Sequence, residues 1–298
     1  MIKGVFESVS DWGKLFFLVV FALLGVLAFS LLGYLAVLIV YGFEALSWVT
    51  SMNINATSVG ALKILQVSQT VGMFIFPGFF LAYLYSKQPK SYLGFNSVDS
   101  KNILLVVVTM LISLPGINLL ASLNEQIPLS DWMIRMETSA EMLTKAFMGT
   151  DGFAAFFLNL IMVAVLPAIG EELVFRGIIQ KHLSNLTRSS FVGIMLTALL
   201  FSAFHLQFKG FVPRFALGVM FGYMYVWSGS IWLPMVAHFT NNCIATVGYM
   251  LIDTGNVSQT IEDVGGLTYL WPIGIISIAG VLLLLVQIRS KSKIELEH

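Results

Sequence analysis

Three short runs combine side chains that can move a proton or hold a metal ion, and all three lie in otherwise apolar sequence. Glu171, Glu172 and Arg176 form E-E-x-x-x-R, Phe201 and His205 form F-x-x-x-H, and His238 and Asn242 form H-x-x-x-N. Glu172 and Arg176 stand one helical turn apart, so they pair directly and neutralise each other, or serve as an ion pair joining helices. Glu171 lies about 100° further round the same helix and remains a carboxylate facing another direction, suited to a general base acting on water. Phe201, one turn before His205, packs under the imidazole and fixes its ring. His238 and Asn242 point into one cavity, where imidazole and amide can hold a water, polarise a carbonyl or stabilise an oxyanion. Peptide hydrolysis needs an activated water, a proton donor to the leaving amine and support for the tetrahedral oxyanion. This set supplies all three without a nucleophilic Ser or Cys, and Ser202 has no evident base on its own helical face. Two imidazoles and a carboxylate also suffice for a zinc site, although H-E-x-x-H is absent. Metal-activated water, with Glu171, His205 and His238 as ligands of a divalent ion, and glutamate-activated water therefore stand as rivals. Asn241 reads as structural, Cys243 as a packed small hydrophobe, and His182 as a surface histidine in a loop.

The elements that position these groups are membrane helices. The 298 residues are 57% hydrophobic and only 11% charged, with mean hydropathy +0.87, whereas soluble domains carry about 25% charged residues. Keeping an ionisable side chain at mid-membrane costs roughly 2.5–3.5 kcal/mol on insertion scales, so carboxylates, guanidinium and imidazoles held there serve chemistry or transport. The fold class is all-α, a polytopic membrane helix bundle of about eight transmembrane helices. Spans of about 20 apolar residues fall at roughly 15–43, 62–86, 102–121, 153–184, 191–208, 213–229, 232–250 and 269–288. Residues 1–150 read as N-terminal helices with an external amphipathic helix, 151–290 as a catalytic core, and 291–298 as a cytoplasmic tail with a tag remnant at Leu296-Glu297-His298. The first apolar run reads as a retained span rather than a signal peptide. Pro77, Pro115 and Pro167 lie inside spans, and neighbouring helices must satisfy the backbone groups they free. Gly218 and Gly222 let another helix approach closely. The net charge is zero, and no basic patch points to nucleic acid. The single cysteine, Cys243, allows neither an intrachain disulfide nor a Cys metal cluster.

With eight spans, eleven of the sixteen basic residues fall on the side of the N-terminus, which puts both termini in the cytoplasm. Residues 130–148 carry Trp132, Met133, Met136, Ala140, Leu143 and Phe147 near one helical face, with Arg135, Glu137, Glu141 and Lys145 largely off it. Ser130 and Asp131 suit a helix start. This is an interfacial amphipathic helix, packed on the rim of the bundle or controlling access of substrate.

The three motifs, in this order and at these separations, resemble the CPBP family, which holds the type II CAAX prenyl endopeptidases and bacterial relatives linked to bacteriocin processing and self-immunity. The match runs over about residues 165–245 and includes the run Glu171 to Gly177, Phe201 with His205, and His238 with Asn242. The resemblance implies an intramembrane endopeptidase of the metalloprotease or glutamate type, with a cavity open towards the cytoplasm. Glu171 would activate water, His205, His238 and Asn242 would complete the catalytic set, and Glu172, Arg176 and Phe201 would support it. The expected partners are a peptide or membrane-protein substrate and the lipid bilayer. The expected place is a bacterial cytoplasmic membrane. A scaffold or bacteriocin-immunity protein without catalysis, and a proton-coupled transporter, are the competing readings. Intact motifs weigh against the first and the lack of internal repeats against the second.

One tension arises from the span boundaries. His205 lies 14 residues into its span and His238 about six into its own, so for the imidazoles to meet the fourth or fifth helix must start higher or tilt, or the seventh must enter deep.

Overall fold

The computed structural model describes residues 2–45, 56–149 and 152–296. Lipid offers the backbone no hydrogen-bond partner, so apolar runs of this length must satisfy their own N–H and C=O groups. All regular elements among the described residues are helical: α1 (Asp11–Tyr41), α2 (Ser58–Tyr85), α3 (Pro89–Leu93), α4 (Ser100–Asn124), α5 (Asp131–Met148), α6 (Phe153–Thr187), α7 (Ser190–Phe204), α8 (Phe211–Ser228), α9 (Trp232–Asp253) and α10 (Trp271–Leu296), with a 3₁₀ turn at Gln259–Asp263. Five of them, α1, α2, α4, α6 and α10, are long and apolar enough to cross a membrane. The apolar α7 is shorter, at 15 residues, and α8 and α9 carry polar residues that line a cavity. With these three, each of the eight expected segments is a helix. Glu297 and His298, in the expected tag remnant, lie outside the described residues.

The prolines are accommodated by specific devices. In α2 a π-helical turn, Val71–Ile75, runs directly into the α-helical start that holds Pro77. In α6 the turn Ile161–Val165 does the same before Pro167. Such turns re-space the i→i−4 ladder where a proline has no N–H to offer. Pro115 lies inside α4, and there the neighbouring helix intervenes as expected. The Ser277 hydroxyl accepts from Gly116 N–H at 3.0 Å and donates to the Ile112 carbonyl at 2.5 Å.

Small residues set the closest approaches. A Cβ on Gly25 of α1 would run into the carbonyl oxygen of Gly72 in α2, and a Cβ on Gly72 into that of Gly25. A Cβ on Gly218 of α8 would press on Ala198 of α7, and one on Gly222 on Ile194, as the small-residue pair predicts.

At the end of the bundle that holds the N-terminus, polar side chains clamp four elements. His182 Nδ1–H donates to Asp11 Oδ1 at 2.5 Å, and His182 Nε2 accepts from the Tyr92 hydroxyl at 2.7 Å. Lys181 Nζ donates to the Tyr92 carbonyl, and the Tyr85 hydroxyl to the Lys14 carbonyl. Burial holds the Tyr92 phenol well above its ordinary range. His182 is therefore not the surface histidine the sequence suggested: it is 2% exposed, because α6 continues as helix beyond the motif and α1 begins against it.

The α8–α9 connection explains how the shallow His238 reaches the site. Ser230, Ile231 and Leu233 are fully buried. Ile231 N–H donates to the Gly94 carbonyl and the Ser230 hydroxyl to that of Asn96. The segment after α3 thus covers the start of α9, and the helix begins below the surface of the bundle. Replacing Gly72 with Leu should separate α1 from α2 and destabilise the protein by about 1–3 kcal/mol, the usual cost of overpacking. A thermal unfolding scan in detergent reads this as a lower midpoint. Gly248→Ala, whose Cβ meets nothing within 4 Å, should leave the midpoint unchanged or raise it.

Candidate active site

The site is built around a side chain that the hydrophobic interior would otherwise reject. Arg176 is completely buried. Its Nη1 donates to Glu172 Oε1 at 2.8 Å, and its Nη2 to the Gly218 carbonyl at 3.0 Å. A Cβ on Gly218 would meet Ala198 and Phe201 of α7, so the glycine sets the close approach of α7 and α8 beside this contact. One turn on, Gln180 Nε2 repeats the contact on the Gly222 carbonyl at 3.1 Å. The guanidinium also lies between two rings, 4.8 Å from the centroid of Phe201 and 5.4 Å from that of Phe221. The i,i+4 pair is therefore present as expected, and it is also a helix-to-helix tie.

Glu172, itself fully buried, does more than neutralise Arg176. Its Oε1 also accepts from His238 Nδ1–H at 2.8 Å. A carboxylate in an ion pair only accepts, so the imidazole carries a proton on Nδ1, and as the neutral ring it turns a bare Nε2 outward. That Nε2 stands 3.9 Å from Glu171 Oε2. His205 is fixed in the same sense: its Nδ1–H donates to the Phe201 carbonyl at 2.8 Å, which again leaves Nε2 bare. Phe201 packs edge-on to both imidazoles, at 5.1 Å from His205 and 5.8 Å from His238. Phe221 stacks on the other side of His238 at 5.4 Å.

Asn242 is tied to a consequence of Pro167. In an ordinary α-helix the carbonyl of residue 163 would accept from the N–H of residue 167, and proline has none. Asn242 Nδ2 donates to that Val163 carbonyl at 3.0 Å, and Asn242 Oδ1 accepts from Asn241 Nδ2 at 3.1 Å. One amide N–H of Asn242 is left over.

Glu171, Phe201, His205, His238 and Asn242 line one cavity of about 640 Å³. Glu172 and Arg176 lie behind its wall. Glu171 Oε2 is buried and has no hydrogen-bond partner in the protein. Ala140, Leu143, Thr144 and Phe147 of α5 form part of the lining, so the apolar face of the amphipathic helix roofs the cavity, and Glu137 anchors it by accepting from Lys209 N–H at 2.8 Å. The turn after α7 is strained, with Leu206 at φ 52°. That left-handed residue places both His205 and Gln207 on the cavity wall.

Sequence reasoning missed Phe221, Gln180, Gln207 and Arg214 near this site. Phe221 lies three residues after Gly218, on a helix whose other polar and aromatic residues gave no pattern, and no local spacing links it to His238. A charge inside an apolar segment was the available signal for Arg214.

The cavity has a direction along the bundle. It extends from Glu171 towards α5, away from the end of the bundle that holds Asp11, His182 and the α8–α9 turn. The two bare Nε2 atoms are the kind of donor a divalent cation takes, but no three His, Cys, Asp or Glu side chains among the described residues converge as a metal site. As placed, the donor set does not close around an ion.

Residues 153–244 match the family model described as Type II CAAX prenyl endopeptidase Rce1-like, so the resemblance drawn from the motifs holds over this segment. The uncharacterized protein YpbD of Bacillus subtilis is 32% identical over 85 residues, 27% of this chain and 40% of the relative. The membrane-embedded CAAX protease MroQ of Staphylococcus aureus is 27% identical over 94 residues, 30% of this chain and 38% of the relative. The chain thus spans about two fifths of the length of these curated relatives. No solved structure matches it.

The two adjacent glutamates should respond differently to neutralisation. Glu172→Gln leaves Arg176 buried with its charge uncompensated, and breaking such a pair costs about 3–5 kcal/mol. Glu171→Gln removes a carboxylate that holds nothing together and should leave the thermal midpoint in detergent close to wild type. Equal midpoints for the two variants would contradict the division of roles.

Proposed function

We propose that this chain is an intramembrane endopeptidase that hydrolyses a peptide bond of a membrane-associated or secreted peptide or protein. The observation that carries the reading is the Glu171 carboxylate, buried in a cavity with Oε2 unpartnered and 3.9 Å from a bare imidazole nitrogen. A water at ordinary hydrogen-bond distance from both atoms sits at the apex of a triangle on that base, donating one hydrogen to each. Glu171 takes a proton as the water oxygen attacks the carbonyl carbon. It then returns that proton to the amide nitrogen as the C–N bond breaks, acting as base and acid in turn. Glu172 and Phe221 keep His238 oriented, and Phe201 sets both rings. The spare N–H of Asn242 is a donor for the oxyanion. The match to a peptidase family model over residues 153–244 supports the same reaction class.

The roof formed by α5 suits a substrate that reaches the site from the membrane interface. The bias of basic residues puts both termini in the cytoplasm, in a bacterial cytoplasmic membrane, and the cavity then extends towards the opposite face. In a Cys243→Ser background, a cysteine at Ser258 should react with an impermeant maleimide on intact spheroplasts, and one at Ser290 only after lysis. The reverse pattern would invert the orientation.

Cleavage of a quenched peptide library by the purified protein should fall about 10²–10⁴-fold in Glu171→Gln, the usual contribution of a general base. The same library incubated with a chelator tests the metal question. Undiminished cleavage is expected from glutamate-activated water. Loss of cleavage that zinc restores would reassign Glu171, His205 and His238 as ligands. Equal cleavage by wild type and Glu171→Gln would overturn the assignment of the site.

A further inference from the structure

The cavity contains a second cation that the reaction as described does not use. Arg214, in the first turn of α8, lines the same wall as Glu171 and His205. Its bonding differs from that of Arg176. Nη1 donates to Gln207 Oε1 and Nη2 to the Gln207 carbonyl, both at 2.5 Å, so both contacts are to a neutral residue seven positions earlier. Its Nε is buried and has no partner, a feature it shares with Arg176, so the difference lies in the missing carboxylate. Glu137 and Glu171 are the acidic groups that act on it, and neither lies within ion-pair distance among the described residues. Glu137 already accepts from the backbone of Lys209.

A guanidinium presents five N–H donors in a planar fork. Two are directed at Gln207. Nε–H and a remaining terminal N–H form the edge that receives a carboxylate in bidentate fashion. A permanent charge on the wall of a partly open cavity within an apolar bundle is costly without a counter-ion. Arg176 has its counter-ion in Glu172, whereas Arg214 is fixed in direction by an amide and left without an anion at ion-pair distance.

We propose that Arg214 is a specificity-determining residue that binds a carboxylate of the substrate, from a free C-terminus or an acidic side chain, and so sets which bond lies over Glu171. The inference rests on the peptidase reading for what happens next, but the binding step stands by itself.

The test uses the full chain in detergent with Glu171→Gln, which removes turnover, and three fluorescein-labelled forms of one short apolar peptide. One has a free C-terminal carboxylate and an internal Gln, one a C-terminal amide and the same Gln, and one the amide with Glu in place of Gln. Anisotropy should show a carboxylate form binding about tenfold or more tightly than the uncharged one, the scale of a charge-assisted hydrogen bond. Which form gains tells a terminal carboxylate from a side-chain one. Adding Arg214→Gln should erase the preference while the uncharged peptide binds as before, and Arg214→Lys should keep part of it. No preference in the parent, a preference that survives Arg214→Gln, or equal weakening of all three forms would overturn the proposal, the last by showing a residue that only shapes the turn. If Arg214→Gln does not fold, Arg214→Lys decides: a reduced preference supports the proposal and an unchanged one overturns it. A carboxylate preference lost with Arg214, in a wild-type chain that cleaves no peptide, would overturn the peptidase reading alone. Cleavage without any carboxylate preference would do the reverse.

Discussion

Burying the Arg176 guanidinium is the constraint to which the rest of the bundle answers. A charge there is tolerable only if a counter-charge and hydrogen bonds lie within a few ångströms. Three different helices supply contacts to its two terminal nitrogens and its face: Glu172 from α6 itself, the Gly218 carbonyl from α8, and the Phe201 ring from α7. Each partner then fixes something else. Glu172 holds His238 of α9, Phe201 packs on both imidazoles, and the close approach at Gly218 sets α8 against α7. The ion pair acts less as a source of stability than as a device that gives four helices a single mutual register. A shift of one residue in α7, α8 or α9 would leave the ion pair within α6 intact but strip it of the Phe201 ring, the Gly218 carbonyl or the His238 contact.

The prolines belong to the same logic. A helix break in lipid is tolerated only where something else meets the freed backbone groups. At Pro167 the freed carbonyl of Val163 is met by Asn242, so the asparagine of the third motif closes a defect on the helix that carries the first. The π turn before Pro167 also re-phases α6, which changes the faces that Glu171 and Glu172 present beyond it. A second π segment, Phe175–Gln180, follows directly and contains Arg176. Such turns inside α-helices often mark functional sites, and here two of them bracket the glutamate pair.

Much of this was legible in the sequence, and the missing part has a common physical character. Periodicity and hydropathy placed all eight apolar segments, and i,i+4 spacing gave the Glu172–Arg176 pair and the packing of Phe201 under His205, because those relations are local to one helix. Relations between helices were not available. Nothing in the spacing links Glu172 to His238, Phe221 to His238, or Asp11 to His182, since each depends on how far along its axis one helix sits against another. His182 was misread for that reason: its polar sequence neighbours suggest a surface, whereas its neighbours in space are Asp11, Tyr92 and Tyr85. The depth of the α9 start, which rests on the Ile231 N–H and the Ser230 hydroxyl bonding the carbonyls of Gly94 and Asn96, is likewise a tertiary fact.

Two consecutive glutamates in an apolar helix pose a question that geometry answers. Identical side chains acquire different chemistry only through different surroundings, and the separation of environments is what assigns roles to paired carboxylates. The helical offset turns Glu172 into the wall, where one oxygen is shared between a guanidinium and an imidazole and the group is fixed in place. The same offset turns Glu171 to the cavity, 13% exposed, with an oxygen no protein group occupies. The charge that Glu172 places behind His238 also sets which nitrogen of that ring faces Glu171. The first glutamate is thus left facing the cavity while the second is held in the wall, and the imidazole between them transmits the orientation of one to the surroundings of the other.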